Sequence, residues 1–274
     1  MSRIAFIGGG NMAASLIGGL LHKGTPPGGI AVAEPRAEAC QELSRRYGVA
    51  TYTDNLDAVA DAGMVVLAVK PQVMAEVCQK LQPAIARQRP LIVSIAAGIR
   101  IEQLERWLGG ALPVVRCMPN TPAMIGAGAT ALYANGRVSP PQRAEAQHLL
   151  DAAGLTVWVP EEDQLDTVTA LSGSGPAYFF LLVEALENAA FAQGLSRETA
   201  RALAAQTALG AGRMLTESGD PAATLRQKVT SPGGTTQAAL ESFAADGFNA
   251  MVARAVDAAR RRGGELSHAM ESTK

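Results

Sequence analysis

Two short stretches of this chain combine residue types that can handle a charged small molecule. The first is Val229-Thr230-Ser231-Pro232-Gly233-Gly234-Thr235-Thr236, which runs into the helical pattern Gln237-Ala238-Ala239-Leu240. A proline with fixed φ, two glycines free to take φ > 0, and hydroxyl residues opening a helix form a turn whose N–H groups can all point one way. Such a turn suits a phosphate or carboxylate, held by unpaired N–H groups at the positive end of the helix dipole. The same residues also describe an ordinary helix-capping turn with no ligand, so the rest of the chain has to decide.

The second stretch is Gly8-Gly9-Gly10-Asn11-Met12-Ala13. It follows the apolar run Arg3-Ile4-Ala5-Phe6-Ile7 and precedes Leu16, Ile17, Leu20 and Leu21 at helical spacing. Strand, glycine turn and helix match the dinucleotide fingerprint G-x-G-x-x-G/A as Gly8, Gly10 and Ala13. These supply a tight turn, close approach to a pyrophosphate, and a small residue where helix meets strand. Ile30-Ala31-Val32-Ala33 closes a βαβ unit. Glu34 ends that strand about twenty residues beyond the turn, where an acid hydrogen-bonds the adenosine ribose hydroxyls. Arg36, two residues further on, can grip a 2′-phosphate or stack on adenine, or can be the exposed first turn of a helix.

The elements that must position these turns follow from periodicity. A helix is expected over 36–47, stopped by Gly48, then a short strand near 49–52 and a short helix capped by Asp54. The runs 64–69, 91–95 and 113–117 are apolar throughout and separated by helical spacers, which reads as strands of a parallel sheet covered on both faces. A ligand then lies at their C-terminal ends. Those ends carry Lys70-Pro71, Ala96-Ala97-Gly98 and Met118-Pro119-Asn120, loops of small residues and prolines that admit a flat ring. Lys70 can equally be a solvated loop charge. Strands near 130–134 and 155–159, around a helix over 140–152, finish this domain, with the boundary near residue 160.

From Glu161 the pattern is alanine-rich and helical. The segment Tyr178–Phe191 is apolar nearly all round, which predicts the buried centre of a helical domain. Helices over 196–216 and 248–262 follow, the last stopped by Gly263. Alanine faces fill little volume, so this domain gains from packing on a second copy.

Composition narrows the partners. The 274 residues carry a net charge of −1 with 18% charged residues, which provides no basic face for nucleic acid. No apolar window approaches a membrane span, and no signal peptide is expected. Cys40, Cys78 and Cys117 are odd in number and widely spaced, which fits reduced packing residues in the cytoplasm. His22, His148 and His268 lie far apart, so no metal is expected.

With Gly8–Ala13, Val69-Lys70-Pro71-Gln72, Met118-Pro119-Asn120-Thr121-Pro122, Leu171-Ser172-Gly173-Ser174-Gly175-Pro176-Ala177-Tyr178 and Thr230–Thr236 in order, the chain resembles the pyrroline-5-carboxylate reductases. The likeness spans nearly its whole length and departs at Ala244, where a polar or charged residue is usual. It implies an α/β fold with a Rossmann-type, mostly parallel sheet domain over 1–160 and an all-helical substrate-binding and dimerisation domain over 161–274. It also implies a homodimer, often assembled further, that reduces 1-pyrroline-5-carboxylate to L-proline with NADPH or NADH. Carried over, the resemblance places the pyrophosphate on Gly8, Gly10, Asn11, Met12 and Ala13, and the ribose or its phosphate near Glu34, Arg36 and Asn55. The nicotinamide side falls to Ala68, Val69, Lys70, Pro71, Ala96, Ala97, Met118, Pro119 and Asn120. The substrate carboxylate falls to Ser231, Gly233, Gly234, Thr235 and Thr236, with Glu162 as a substrate-contacting acid and Thr236 as the active-site hydroxyl.

The residues agree with that chemistry. Reducing a cyclic imine needs hydride at carbon and one proton at nitrogen, and a basic imine arrives carrying that proton, so orientation and an anion clamp matter more than a strong acid. A 3-hydroxyacid dehydrogenase shares the plan but uses a lysine on its long helix. Here no lysine occurs between Lys80 and Lys228. A dinucleotide-binding sensor without turnover would have no use for the 230–236 turn.

Overall fold

The computed structural model describes residues 3–271, with side chains of the last helix through Ser267. Two compact units result: the described residues through Ser174 together with those from Ala259 onward, and Gly175–Ala258. The expected boundary near residue 160 follows the change of composition. Residues 161–174 nevertheless pack with the sheet unit, because their acids pair with its arginines.

The sheet unit opens with β1 (Arg3–Ile7), α1 (Asn11–His22), β2 (Ile30–Ala33), α2 (Ala37–Tyr47), β3 (Ala50–Tyr52), α3 (Asn55–Val59) and β4 (Ala62–Leu67). It continues with α4 (Pro71–Gln88), β5 (Leu91–Ser94), α5 (Ile101–Leu108), β6 (Val114–Met118), β7 (Gly128–Ala134), α6 (Pro140–Asp151), β8 (Gly154–Trp158) and α7 (Gln164–Val168). The strands form one sheet in the order β3-β2-β1-β4-β5-β6-β7-β8. All neighbours are parallel except β6 and β7. Alternation of side chains divides the core. Ile4, Phe6, Val32, Met64, Val66 and Val93 face Leu16, Ile17 and Leu20 of α1 and Leu149 and Leu150 of α6. Ile7, Val65, Leu67 and Ile92 face Met74, Cys78 and Leu81 of α4 and Leu104 and Trp107 of α5. Each such fully buried side chain contributes about 1.5–3 kcal/mol, and covering both faces is what keeps the strands apolar along their whole length.

Cys40, Cys78 and Cys117 are buried free thiols. Burial pushes the Cys78 thiol up to about 12, which keeps it protonated and inert.

The helical unit holds α8 (Gly175–Ala192), α9 (Arg197–Glu217), α10 (Ala222–Lys228), α11 (Thr235–Ala245) and the first part of α12 (Phe248–Glu271). Two expectations are corrected here. The all-apolar helix does not lie in a core: Phe179, Phe180 and Leu181 of α8 are 65%, 69% and 66% exposed, because one copy of this thin unit has nothing to lay over them. Nor does Gly263 stop the last helix, which runs on to Glu271. A glycine there costs about 1 kcal/mol against alanine without ending the helix, and Ser267, four residues later, is buried beside Gly98. The side chain of His268 lies outside the described residues.

Candidate functional site

The dinucleotide edge is built by register. Ile7 pairs with Ala33 on one side and Leu67 on the other, so Gly8, Glu34 and Ala68 leave three adjacent parallel strands together. The Gly8 amide donates to Ala33 O at 2.8 Å, and the Ala68 amide donates to Ile7 O at 2.8 Å. Gly8 sits at φ +100°, and a Cβ there would lie 2.7 Å from Ala68 O, so only glycine makes this turn. Gly10, the N-cap of α1, has no atom within 4 Å of its Cβ position, and no side chain caps the helix. Asn11, Met12 and Ala13 form the first turn behind it. An open helix N-terminus approached by bare backbone fits a pyrophosphate.

Glu34 is fixed within this edge. Its Oε2 accepts from the Gly9 amide at 3.2 Å and its Oε1 accepts from Arg36 Nε at 2.8 Å. Arg36 itself is exposed, and the neighbouring carboxylate raises its pKa above the ordinary arginine value. The acid and base read separately from sequence therefore form one pair. Asn55 opens α3, Lys70 is the exposed N-cap of α4, and Pro71 takes the first position of that helix, where its missing N–H costs nothing. Ala96 is buried and Ala97 exposed beyond β5. Met118 ends β6 half-buried, Pro119 beyond it is buried, and the Asn120 side chain is occupied at both ends: Nδ2 donates to Ser172 O at 3.0 Å and Oδ1 accepts from the Ala129 amide at 2.9 Å.

Glu162 also belongs to this unit. Its Oε1 accepts from Arg116 Nη1 at 2.9 Å and from the Ile101 amide at 2.9 Å. Arg100, just before α5, pairs with Asp163, and its Nη2 lies 3.2 Å from Asp166 Oδ2. Sequence reasoning passed over Arg116, although a charge inside Val114-Val115-Arg116-Cys117 was itself a signal: a buried guanidinium requires carboxylate partners.

In the helical unit, α10 ends at Lys228 and the anion turn follows. Thr230 Oγ1 donates to Arg226 O at 2.6 Å. Gly233 sits at φ +69°, and its amide donates to Gln237 Oε1 at 2.7 Å, a partner that sequence reasoning also passed over. The Gly234 amide donates to Ser231 O at 3.0 Å. Two of the four expected amide donors are thus engaged inside the turn. Thr235 and Thr236 are the first two residues of α11, whose N-cap is Gly234. The half-buried Thr236 hydroxyl is therefore not the helix cap.

Comparison with known proteins decides the family. A pyrroline-5-carboxylate reductase of Pseudomonas aeruginosa is 54% identical over 265 residues, covering 97% of both chains. That of Haemophilus influenzae is 46% identical over 96% of this chain and 97% of the relative. This chain belongs to the pyrroline-5-carboxylate reductase family. Residues 162–266 match the family model described as pyrroline-5-carboxylate reductase dimerisation, and residues 3–98 match one described as NADP oxidoreductase, coenzyme F420-dependent. A solved pyrroline-5-carboxylate reductase from Coxiella burnetii superposes with a TM-score of 0.94 at 43% identity, covering 97% of this chain and 98% of that one. The Plasmodium falciparum enzyme, solved with NADP bound, gives a TM-score of 0.83 at 28% identity over 97% and 98% of the two chains. The reductase fold is the α/β unit with its mostly parallel sheet and a helical C-terminal region, and that region carries the family's dimerisation segment. No helix among the described residues is long and apolar enough to cross a membrane.

Proposed function

We propose that this chain reduces 1-pyrroline-5-carboxylate to L-proline with hydride from NADPH in the cytoplasm, as a homodimer that can assemble further. The reaction is the last step of proline biosynthesis. The observation that carries this reading is 54% identity over nearly the whole of both chains to a pyrroline-5-carboxylate reductase. Support for the phosphorylated cofactor comes from the NADP bound to the P. falciparum relative and from the exposed Arg36 guanidinium beside Glu34. NADH is the alternative donor.

In this reading residues 1–160 bind the cofactor and 161–274 serve the substrate and the dimer. Gly8 makes the tight turn, its own amide held by Ala33 O, and Gly10, Asn11, Met12 and Ala13 present amides to the pyrophosphate. Glu34, Arg36 and Asn55 surround the adenosine ribose. Ala68, Val69, Lys70, Pro71, Ala96, Ala97, Met118, Pro119 and Asn120 line the nicotinamide side. A nicotinamide held by these residues would supply the hydride for the imine carbon, and the protonated ring nitrogen would take up the electron pair of the C=N bond. Ser231 and the amides of Thr235 and Thr236 hold the carboxylate, and Gly233 and Gly234 shape the turn. The Thr236 hydroxyl orients the ring nitrogen, so that one helix turn fixes both ends of the reacting ring.

The test is loss of nicotinamide absorbance with pyrroline-5-carboxylate, run in parallel with NADPH and NADH. Turnover with the imine is expected, faster with NADPH at low cofactor concentration. Oxidation of the cofactor by 3-hydroxyisobutyrate-type substrates but not by the imine would sink the reading.

A further inference from the structure

Glu162, expected as a substrate-contacting acid, has its bonds within the sheet unit. One oxygen, Oε1, receives both the Ile101 amide and Arg116 Nη1, each at 2.9 Å. Ile101 is the first residue of α5, so Glu162 places a negative charge at the positive end of that helix. Arg100, the N-cap residue, is exposed over only a quarter of its side chain and is held by Asp163 and by Asp166 at 3.2 Å. Arg116 comes from β6 and is 4% exposed, with Asp166 at 4.0 Å as its second carboxylate. Three acids on one short segment thus grip the start of α5 and the adjacent strand. Between β5 and α5 runs Ile95-Ala96-Ala97-Gly98-Ile99, the loop at the C-terminal edge of the sheet where a dinucleotide lies. Its strand end is anchored by the Ile95 amide donating to Leu67 O at 3.2 Å. Its other end is anchored by Glu162.

We infer that Glu162 is a positioning residue for the cofactor: through the Ile101 amide and Arg116 it fixes the Ala96–Gly98 loop against which the nicotinamide is seated. The inference rests on the cofactor reading above and replaces substrate contact as the role of this acid. A hydrogen bond to a charged acceptor is about twice as strong as one to a neutral acceptor. An amide in place of the carboxylate therefore loosens both bonds while keeping the shape of the side chain. A displaced loop costs binding wherever the ring must lie flat against it.

The experiment compares wild type, Glu162→Gln and Ile101→Pro. Proline at the first helical position is tolerated and removes the N–H that Glu162 accepts, leaving the Arg116 pair in place. Arg100, at φ −84° and ψ 158°, already has the conformation that precedes proline. NADPH dissociation constants are read by fluorescence without substrate, imine KM is read at saturating cofactor, and melting temperatures are recorded. Both variants are expected to weaken NADPH binding by about ten-fold and to leave imine KM within about two-fold. Unchanged NADPH affinity in either folded variant, with only the melting temperature lowered, would make the network purely structural and overturn the inference. A raised imine KM with unchanged NADPH affinity would restore Glu162 to the substrate and overturn it equally. Failure of the wild type to bind NADPH or reduce the imine would instead refute the functional reading.

Discussion

The amide of Gly233 donates to Gln237 Oε1 at 2.7 Å, so a neutral side-chain oxygen already occupies the first N–H of the anion turn. Gln237 is the third residue of α11, the position from which a capping-box glutamine reaches back to the chain before its helix. Its Nε2 in turn donates to Glu241 Oε1 at 2.7 Å. Gln237→Glu keeps an acceptor for Gly233 but sets a negative charge beside the carboxylate clamp. Like charges a few ångströms apart cost on the order of 1–4 kcal/mol between bulk water and a protein surface. Imine KM should rise about ten-fold, more at low ionic strength, with kcat within about two-fold. Steady-state kinetics at two salt concentrations check this, and an unchanged KM would remove Gln237 from the clamp.

Arg36 neutralises Glu34 at 2.8 Å while leaving most of its own surface open to a ligand. Arg36→Ala removes the partner of a 2′-phosphate and exposes that phosphate to the bare Glu34 carboxylate. NADPH KM should rise at least about ten-fold while NADH KM stays level or falls. Identical KM values for both cofactors before and after the substitution would leave Arg36 a surface charge.

Thr236 and Thr235 follow one another in the first turn of α11, but Thr236 is half-buried and Thr235 exposed. Thr236→Ala should lower kcat/KM by tens- to hundreds-fold through loss of one orienting hydrogen bond, leaving measurable turnover because the imine brings its own proton. Thr235→Ala should retain most activity. Equal kinetics in the two variants, with altered melting temperatures alone, would show that neither hydroxyl touches the substrate.

The exposed ring faces of Phe179 and Phe180 belong to a helix that is apolar nearly all round, and a groove of about 740 Å³ lined by Leu182, Leu240, Phe243 and Phe248 lies in the same unit. Apolar surface of that extent is covered in stable soluble proteins. Sedimentation should give a dimer or larger species at micromolar concentration, and Phe180→Glu should shift it toward monomer. A wild-type monomer would refute the homodimer.

Much of this was legible in the chain itself. Ile4 to Ile7 and Met64 to Leu67 are apolar without alternation because a parallel sheet buries both faces, and that pattern survives in one dimension. Gly8 and Gly233 were legible for a related reason: a positive φ favours glycine at both, and at Gly8 a backbone oxygen 2.7 Å from the Cβ position requires it, so the constraint is written in the residue type. Tertiary structure alone decided the partners. From sequence, Glu34 is assigned to the ribose hydroxyls and Arg36 separately to a 2′-phosphate, to adenine or to an exposed helix turn, and only the folded turn makes them a pair. Glu162 and Ile101 are sixty-one residues apart, and nothing local in either records that one caps the other's helix. The burial of α8 was misjudged on the same ground, since an apolar helix states that it must be covered but not whether its own chain does the covering. Residue types set local backbone and burial demands, whereas which charges meet depends on the path of the whole chain.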